Sequence, residues 1–221
     1  LYSSTNSKHQ INSLGEYYDI KIGGIGGTRI IITKMNAAGT AYVWTKDLGQ
    51  SFLQQVPYGY CSCMDSSNNI YVAAGTSDGS SLVYIVKLDV NGTVLFSKYL
   101  NVPGVSGSDI FASNIMINDS GTISLQCYYP GAFPVFEISN NGSTLISQGR
   151  IIFSGVPSCI PKDGSPGYGE IYIPYLDTTV GSVQMMSILS LPNNGKFGPA
   201  GSTSSYTYTY KGNTFSNTFT V

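Results

Sequence analysis

Four stretches of the chain follow one pattern: TKMNAAGTAYVW, KLDVNGTVLF, EISNNGSTLI and SILSLPNNGKF. Each reads as a strand, a tight polar turn and a second strand. Asn, Asp and Gly belong in such turns because they tolerate positive φ, and Asn and Asp also bond back to their own backbone. The turn glycines Gly39, Gly92, Gly142 and Gly195 lie 53, 50 and 53 residues apart. A second turn-and-strand element precedes each by about 20 residues: INSLGEYYDIKIGG, MDSSNNIYVAAGTS, INDSGTISLQCYYP and IPKDGSPGYGEIYIPY. A unit repeated at this interval cannot bury its own faces, so its copies must cover one another.

β-Branched and aromatic residues follow each turn, as strands require. In the second copy the spacing predicts strand A near Tyr60–Met64, B near Ile70–Gly75, C near Leu82–Asp89 and D near Thr93–Leu100. The run Leu82 to Leu88 is nearly all apolar, which suits a strand covered on both faces. No segment holds a helical period. The predicted fold is therefore all-β, a β-propeller of about four four-stranded antiparallel blades, in which radial stacking covers each sheet. One domain spans 1–221, with copies at approximately 8–55, 56–106, 107–154 and 155–211. The fourth D strand is expected within Ser204–Lys211, and 212–221 supplies one more strand, for closure of the ring or for a next blade.

Only 10% of the residues are charged and the formal net charge is −1, so no basic field exists to hold nucleic acid. The 42% hydrophobic content, regularly placed, argues for a packed fold rather than disorder. No apolar run reaches the roughly 18 residues of a membrane-spanning helix, and no membrane insertion is expected. The chain opens on Leu, and LYSSTNSKHQ has no signal-peptide character; a processed product or a piece of a longer polypeptide is expected. The four cysteines do not form a disulfide framework. Cys61 and Cys63 point the same way on a strand, and Cys127 and Cys159 sit singly in apolar runs, so buried reduced thiols are expected. Zinc is not expected, since paired cysteines at ligand spacing are absent.

The segment NNIYVAAGTSDGSSLVYIVKLDVNGTVLFSKYL, Asn68 to Leu100, resembles the SBBP-type propeller repeat. Asn69, Ile70, Tyr71, Val72, Gly75, Lys87, Asp89, Gly92 and Phe96 carry the likeness. The first copy keeps Lys34, Gly39 and Trp44 but has Asn36 in place of the Asp; the third and fourth keep the Asn-Gly turn and lose the Lys and Asp. The resemblance implies a propeller. It also implies a setting on a bacterial surface or secreted protein, or in a phage structural protein.

In an antiparallel meander the B–C and D–A connections emerge on one face, and these are the segments that vary between copies. Phe52, Tyr58, Tyr128, Tyr129 and Phe133 fall there, with Asp78, Asp109 and Asp177 as acceptors. Rings beside carboxylates suit carbohydrate, because sugar faces stack and sugar hydroxyls donate; the plainer alternative is that the rings pack their own loops. Tyr206, Tyr208 and Tyr210 share one strand face, as a contact surface or as packing on a neighbouring blade.

GGIGGT lacks the lysine of a phosphate loop and precedes no helix. The single histidine, His9, has no G-x-S-x-G elbow to serve and reads as an exposed or locally bonded polar residue. Asp65 and Asp89 sit in turns, where bonding to their own backbone accounts for them without calcium. No catalytic residue, metal or cofactor is implied.

The expected function is a non-enzymatic structural or recognition module on a virion, at a phage tail or capsid exterior. Its loop face would hold another virion protein or a host surface glycan, with copies of the chain assembling in the particle. The alternatives are a carbohydrate-active propeller enzyme, a bacterial extracellular surface binding protein, and a spacer subunit without a ligand. The enzyme is disfavoured by the scarcity of acidic residues in the A strands.

Overall fold

The computed structural model describes residues 8–23, 29–49, 57–76, 81–102, 109–118, 120–129, 132–153, 166–167, 170–180, 183–192, 203–210 and 213–220, the last strands as backbone only. All regular structure among them is β. The first sheet is β1 (Lys8–Ile11), β2 (Tyr17–Gly23), β3 (Arg29–Met35) and β4 (Tyr42–Leu48). The second is β5 (Pro57–Met64), β6 (Ile70–Thr76), β7 (Leu82–Leu88) and β8 (Val94–Asn101). In the third copy the meander is β9 (Phe111–Ile117), β10 (Ile123–Tyr128), β11 (Ala132–Ile138) and β12 (Leu145–Phe153). All three run in chain order with antiparallel neighbours. The strands expected in the second copy lie where the spacing placed them, to within a few residues.

The turns form for the reason the residue types suggest. The Asp65 Oδ1 accepts from the backbone N–H of Ser67 and Asn69, both at 2.9 Å, and the Asp89 Oδ1 from those of Asn91 at 2.9 Å and Thr93 at 2.8 Å. In the first sheet Asn12 and Asn36 close the corresponding turns through their Oδ1 atoms. Each side chain satisfies donors that the reversal of the chain leaves unpaired. Past each of the three C–D turns the D strand carries a register shift opposite strand C, a β-bulge.

Alternate residues of each strand pack on opposite neighbours. Tyr18, Ile20, Ile30, Ile32 and Leu48 of the first sheet meet Ile70, Val72, Ala74, Val86 and Leu88 of the second in one buried cluster. Tyr71, Ala73, Val83 and Ile85 on the other face of the second sheet meet Ile115, Ile123, Leu125, Phe136 and Ile138 of the third in another. All seven residues of β6 are consequently buried. At about 25 cal/mol per Å² of apolar surface, this mutual cover is the main force holding the sheets together.

A polar device recurs at both interfaces. Lys34 Nζ lies 2.7 Å from Glu16 Oε2, donates to the Val90 carbonyl at 3.1 Å in the next sheet's turn, and sits 5.7 Å from the centre of the Tyr18 ring. Trp44 Nε1 donates to the same carbonyl at 3.1 Å, and its indole roofs Gly92, where a Cβ would stand 3.0 Å away. One copy later Lys87 Nζ lies 3.6 Å from Asp65 Oδ2, donates to Asn140 Oδ1 at 2.7 Å and sits 4.8 Å from the Tyr71 ring centre. Phe96 roofs Gly142, with 2.9 Å to a hypothetical Cβ. The third copy breaks the series. Register places Glu137 where Lys34 and Lys87 stand, and Ser147 where Trp44 and Phe96 stand. Glu137 accepts instead from the Thr122 and Ser147 hydroxyls at 2.8 and 3.1 Å.

The fourth copy departs from expectation. β13 (Pro166–Gly167), β14 (Glu170–Val180) and β15 (Val183–Pro192) form a three-stranded sheet. The strand expected to complete it, β16 (Thr203–Tyr210), pairs along its whole length with β17 (Asn213–Thr220) instead. Only two residues separate these strands, so pairing with each other closes the shorter loop. β17 then adds to β12 through Ile152 and Phe153, extending the third sheet to six strands.

Two outcomes are expected. Gly39 and Gly92 both have positive φ, at 68° and 80°, but nothing lies within 4 Å of a Cβ at Gly39. Gly39→Ala should therefore cost about 1–2 kcal/mol of backbone strain, and Gly92→Ala about 1–3 kcal/mol more by overpacking against Trp44; urea midpoints compare the two.

The second concerns acid. Hydrogen bonds from Lys34 and Asn12 hold the Glu16 carboxyl below its usual range. Burial raises Asp65, but hydrogen bonds from the Asn69 side chain and backbone and from Tyr71, with the Lys87 charge, outweigh it and lower that group as well. The unfolded chain then binds more protons than the folded one, so this stability is complete above the ordinary carboxylate pKa of about 4 and is lost as pH falls through the lower folded values. Asp65→Asn should lower the urea midpoint at neutral pH and flatten its fall in acid.

Candidate functional site

The first sheet has only one neighbour among the described sheets, and the residues on its other face differ from those of its sister copies. Register equates Tyr17, Asp19 and Lys21 of β2 with Ile70, Val72 and Ala74 of β6, and with Ile123, Leu125 and Cys127 of β10. On strand C, Thr33 and Met35 correspond to Val86 and Leu88, then to Phe136 and Ile138. In the second and third sheets these positions are buried and apolar. In the first they carry a phenol, a carboxylate and an ammonium.

These side chains border a cleft of about 330 Å³ lined by His9, Tyr17, Asp19, Lys21, Thr33, Met35, Tyr42 and Thr45. Four strands contribute: His9 from β1, the Tyr17–Asp19–Lys21 row from β2, Thr33 and Met35 from β3, Tyr42 and Thr45 from β4. The His9 and Tyr17 rings stack with centroids 5.3 Å apart, and the Tyr17 hydroxyl bonds His9 Nδ1. Burial, and then the Asp19 charge, raise the Tyr17 phenol above its ordinary value, so it keeps its proton. That proton is available to the bond with Nδ1.

Asp19 Oδ1 lies 3.4 Å from His9 Nδ1, yet this buried oxygen accepts no hydrogen bond among the described residues. Its other oxygen is 3.8 Å from Lys21 Nζ, beyond hydrogen-bond reach. Tyr42 stands 75% exposed at the rim. The cleft thus offers a ring open for stacking, hydroxyl donors, an ammonium and a carboxylate. Among the described residues no three His, Cys, Asp or Glu side chains come together as metal ligands.

The residues expected to form a site lie elsewhere. Phe52 and Asp78 are outside the described residues. Tyr58 falls within β5, Phe133 within β11 and Asp177 within β14, so these three belong to strands rather than to connecting loops, and their side chains are outside the described ones. Alternating apolar and β-branched residues simply carry those strands further than the turn signals suggested. Tyr128 closes β10, is buried, and meets Phe111 with ring centroids 5.9 Å apart. Tyr129 packs partly buried against the core between the second and third sheets, and Asp109 is half-buried beside Ile110.

His9 is locally bonded, as its setting suggested, but in a cleft that sequence inspection passed over. Aligning YYDIKI with IYVAAG on Tyr18 and Tyr71 would have exposed it, since polar residues then fall on every apolar position of one face. Cys61, Cys63 and Cys127 form no disulfide among the described residues, Cys61 and Cys127 being buried and Cys63 lying beside the same core; Cys159 is outside the described residues. Burial, with the Asp65 charge second, pushes the Cys63 thiol up to about 12, so none of this chemistry is nucleophilic.

No protein-family model matches the chain, and no curated protein matches it. Among solved structures it is similar to the exo-beta-1,3-galactanase from Phanerochaete chrysosporium, determined with galactose. Identity is 11% and the TM-score 0.48, over 78% of this chain and 43% of that one. The chain thus spans less than half the galactanase's length. This neighbour is an enzyme, against the expectation of a module without catalytic activity.

Asp19→Val, which installs the residue found at this position in the second sheet, should raise stability by about 0.5–2 kcal/mol, because a desolvated carboxylate is exchanged for a strand-forming apolar side chain. Thermal unfolding of the variant beside the parent measures it.

Proposed function

We propose that this chain is a carbohydrate-active module of propeller type, and that a saccharide is held on the open face of its first sheet. The observation that carries this reading is the replacement of Ile, Val and Ala by Tyr17, Asp19 and Lys21 at positions whose counterparts are buried between sheets. A polar end sheet for solubility requires only exposed charge. It does not require an acidic and a basic side chain to line one cleft together with an exposed ring, and such convergent polar groups mark binding sites in general. The radial stacking is supported by two successive interfaces built on the same Lys, aromatic and Gly positions.

The mode of binding follows from the groups present. The face of a pyranose is apolar and stacks on Tyr42, its hydroxyls donate to the exposed part of the Asp19 carboxylate, and Lys21, His9 and Thr45 provide donors to its oxygens. A second reading, cleavage at the same place, is favoured by Asp19 itself, a half-buried carboxyl that lines the cleft. Glycoside cleavage ordinarily needs a second carboxyl within about 5–9.5 Å. The other carboxylate on this face, Asp47, is paired with Arg29 at 2.7 Å.

Binding of the intact chain to an oligosaccharide array, followed by titration calorimetry, tests the proposal. Tyr42→Ala should weaken affinity at least tenfold through loss of stacking; unaltered affinity would remove the cleft from the account. Release of reducing ends that stops in Asp19→Asn would establish cleavage over binding alone.

A further inference from the structure

We infer that the ligand of this cleft is an uncharged polyhydroxy compound, and that the Asp19–Lys21 pair selects it against acidic and amino sugars. The inference rests on the carbohydrate reading above and sharpens it.

Two groups of opposite charge stand two residues apart on β2, so both project from the same face of the sheet. Lys21 Nζ and Asp19 Oδ2 are 3.8 Å apart, so they attract without a hydrogen bond. Both side chains line the cleft and stay in part exposed, Lys21 at 44% and Asp19 at 26%, with Oδ2 the carboxylate oxygen on the Lys21 side. What completes this pair must donate a proton to the carboxylate and accept one from the ammonium. A hydroxyl does both.

Charged substituents fail on one side or the other. The carboxylate of a uronic acid, or a sulfate, has no proton to give and meets the Asp19 charge in a partly desolvated setting. An amino sugar's ammonium has no lone pair for Lys21 and is repelled by it. Nothing else on the face shifts this balance. Arg29 is bound to Asp47, Thr33 and Thr45 are uncharged, and Tyr17 keeps its proton. His9 is bonded to Tyr17 through Nδ1. A neutral ligand bearing adjacent hydroxyls meets both Lys21 Nζ and Asp19 Oδ2 with no charge left over.

The test is titration calorimetry of the full chain, at low salt, with neutral gluco-, galacto- and xylo-oligosaccharides and with oligogalacturonate of equal length. The expected result is binding of a neutral series with oligogalacturonate at least tenfold weaker. Asp19→Asn, which is isosteric and keeps the fold, should weaken the neutral ligand about tenfold and narrow or reverse the preference, because Lys21 is then uncompensated. Lys21→Met should weaken the neutral ligand while oligogalacturonate stays excluded. Equal or tighter binding of oligogalacturonate by the parent chain, or a preference unmoved in Asp19→Asn, would overturn the inference and leave the carbohydrate reading standing. Failure of every oligosaccharide to bind would overturn both.

Discussion

The structure depends on each sheet receiving from its neighbour the apolar cover it cannot make alone. Two sheet faces meet at each interface, and a residue such as Val72 or Leu125 is buried only because the adjacent copy is present. A four-stranded unit of about 50 residues would leave too much apolar surface in water to fold by itself. The lysine at each interface adds direction to this cover. A buried ammonium is costly unless it is paired and hydrogen-bonded. Lys34 finds its anion in its own sheet and its remaining acceptor in the next, so the favourable arrangement exists only when the two are correctly aligned. The roofed glycine tightens the condition, since Trp44 and Phe96 can approach the following turn only where no Cβ intervenes.

The two ends of the series of sheets break the rule in different ways. In the third copy Glu137, Ser147 and Ser124 take the places of lysine, aromatic ring and tyrosine, and Glu137 accepts from Thr122 and Ser147 of its own sheet. The sheet is extended at its edge, through β17. In the first copy it is the receiving face that changes. Polar side chains stand where apolar ones would accept a neighbour, and a cleft opens among them. Such a face gives up the apolar cover that stabilises its sister copies, as Asp19 in place of Val72 shows.

The periodicity of turn glycines, the turn-forming Asn and Asp residues and the apolar runs were enough to place the strands of the second copy to within a few residues and to show that the fold is all-β. They sufficed because turn chemistry and strand alternation are local properties. The Lys, Asp, Gly and Phe of the repeat were visible too, but only packing revealed that Lys87 reaches Asn140 and that Phe96 covers Gly142, contacts about one repeat apart in sequence. The fourth copy misled for the converse reason: TSSYTYTY has the composition of a D strand, and composition does not say which edge a strand will join.

The site divides along the same line. The sequence by itself determined which residues occupy each face of each strand, and a comparison of YYDIKI with IYVAAG contains the substitution of Tyr, Asp and Lys for Ile, Val and Ala. It did not contain the fact that a cleft forms on this face, that His9 from β1 folds onto Tyr17, or that Asp19 Oδ1 accepts no hydrogen bond among the described residues. Those depend on the stacking of whole sheets and on side chains drawn from four strands, a non-local arrangement that chain order does not encode.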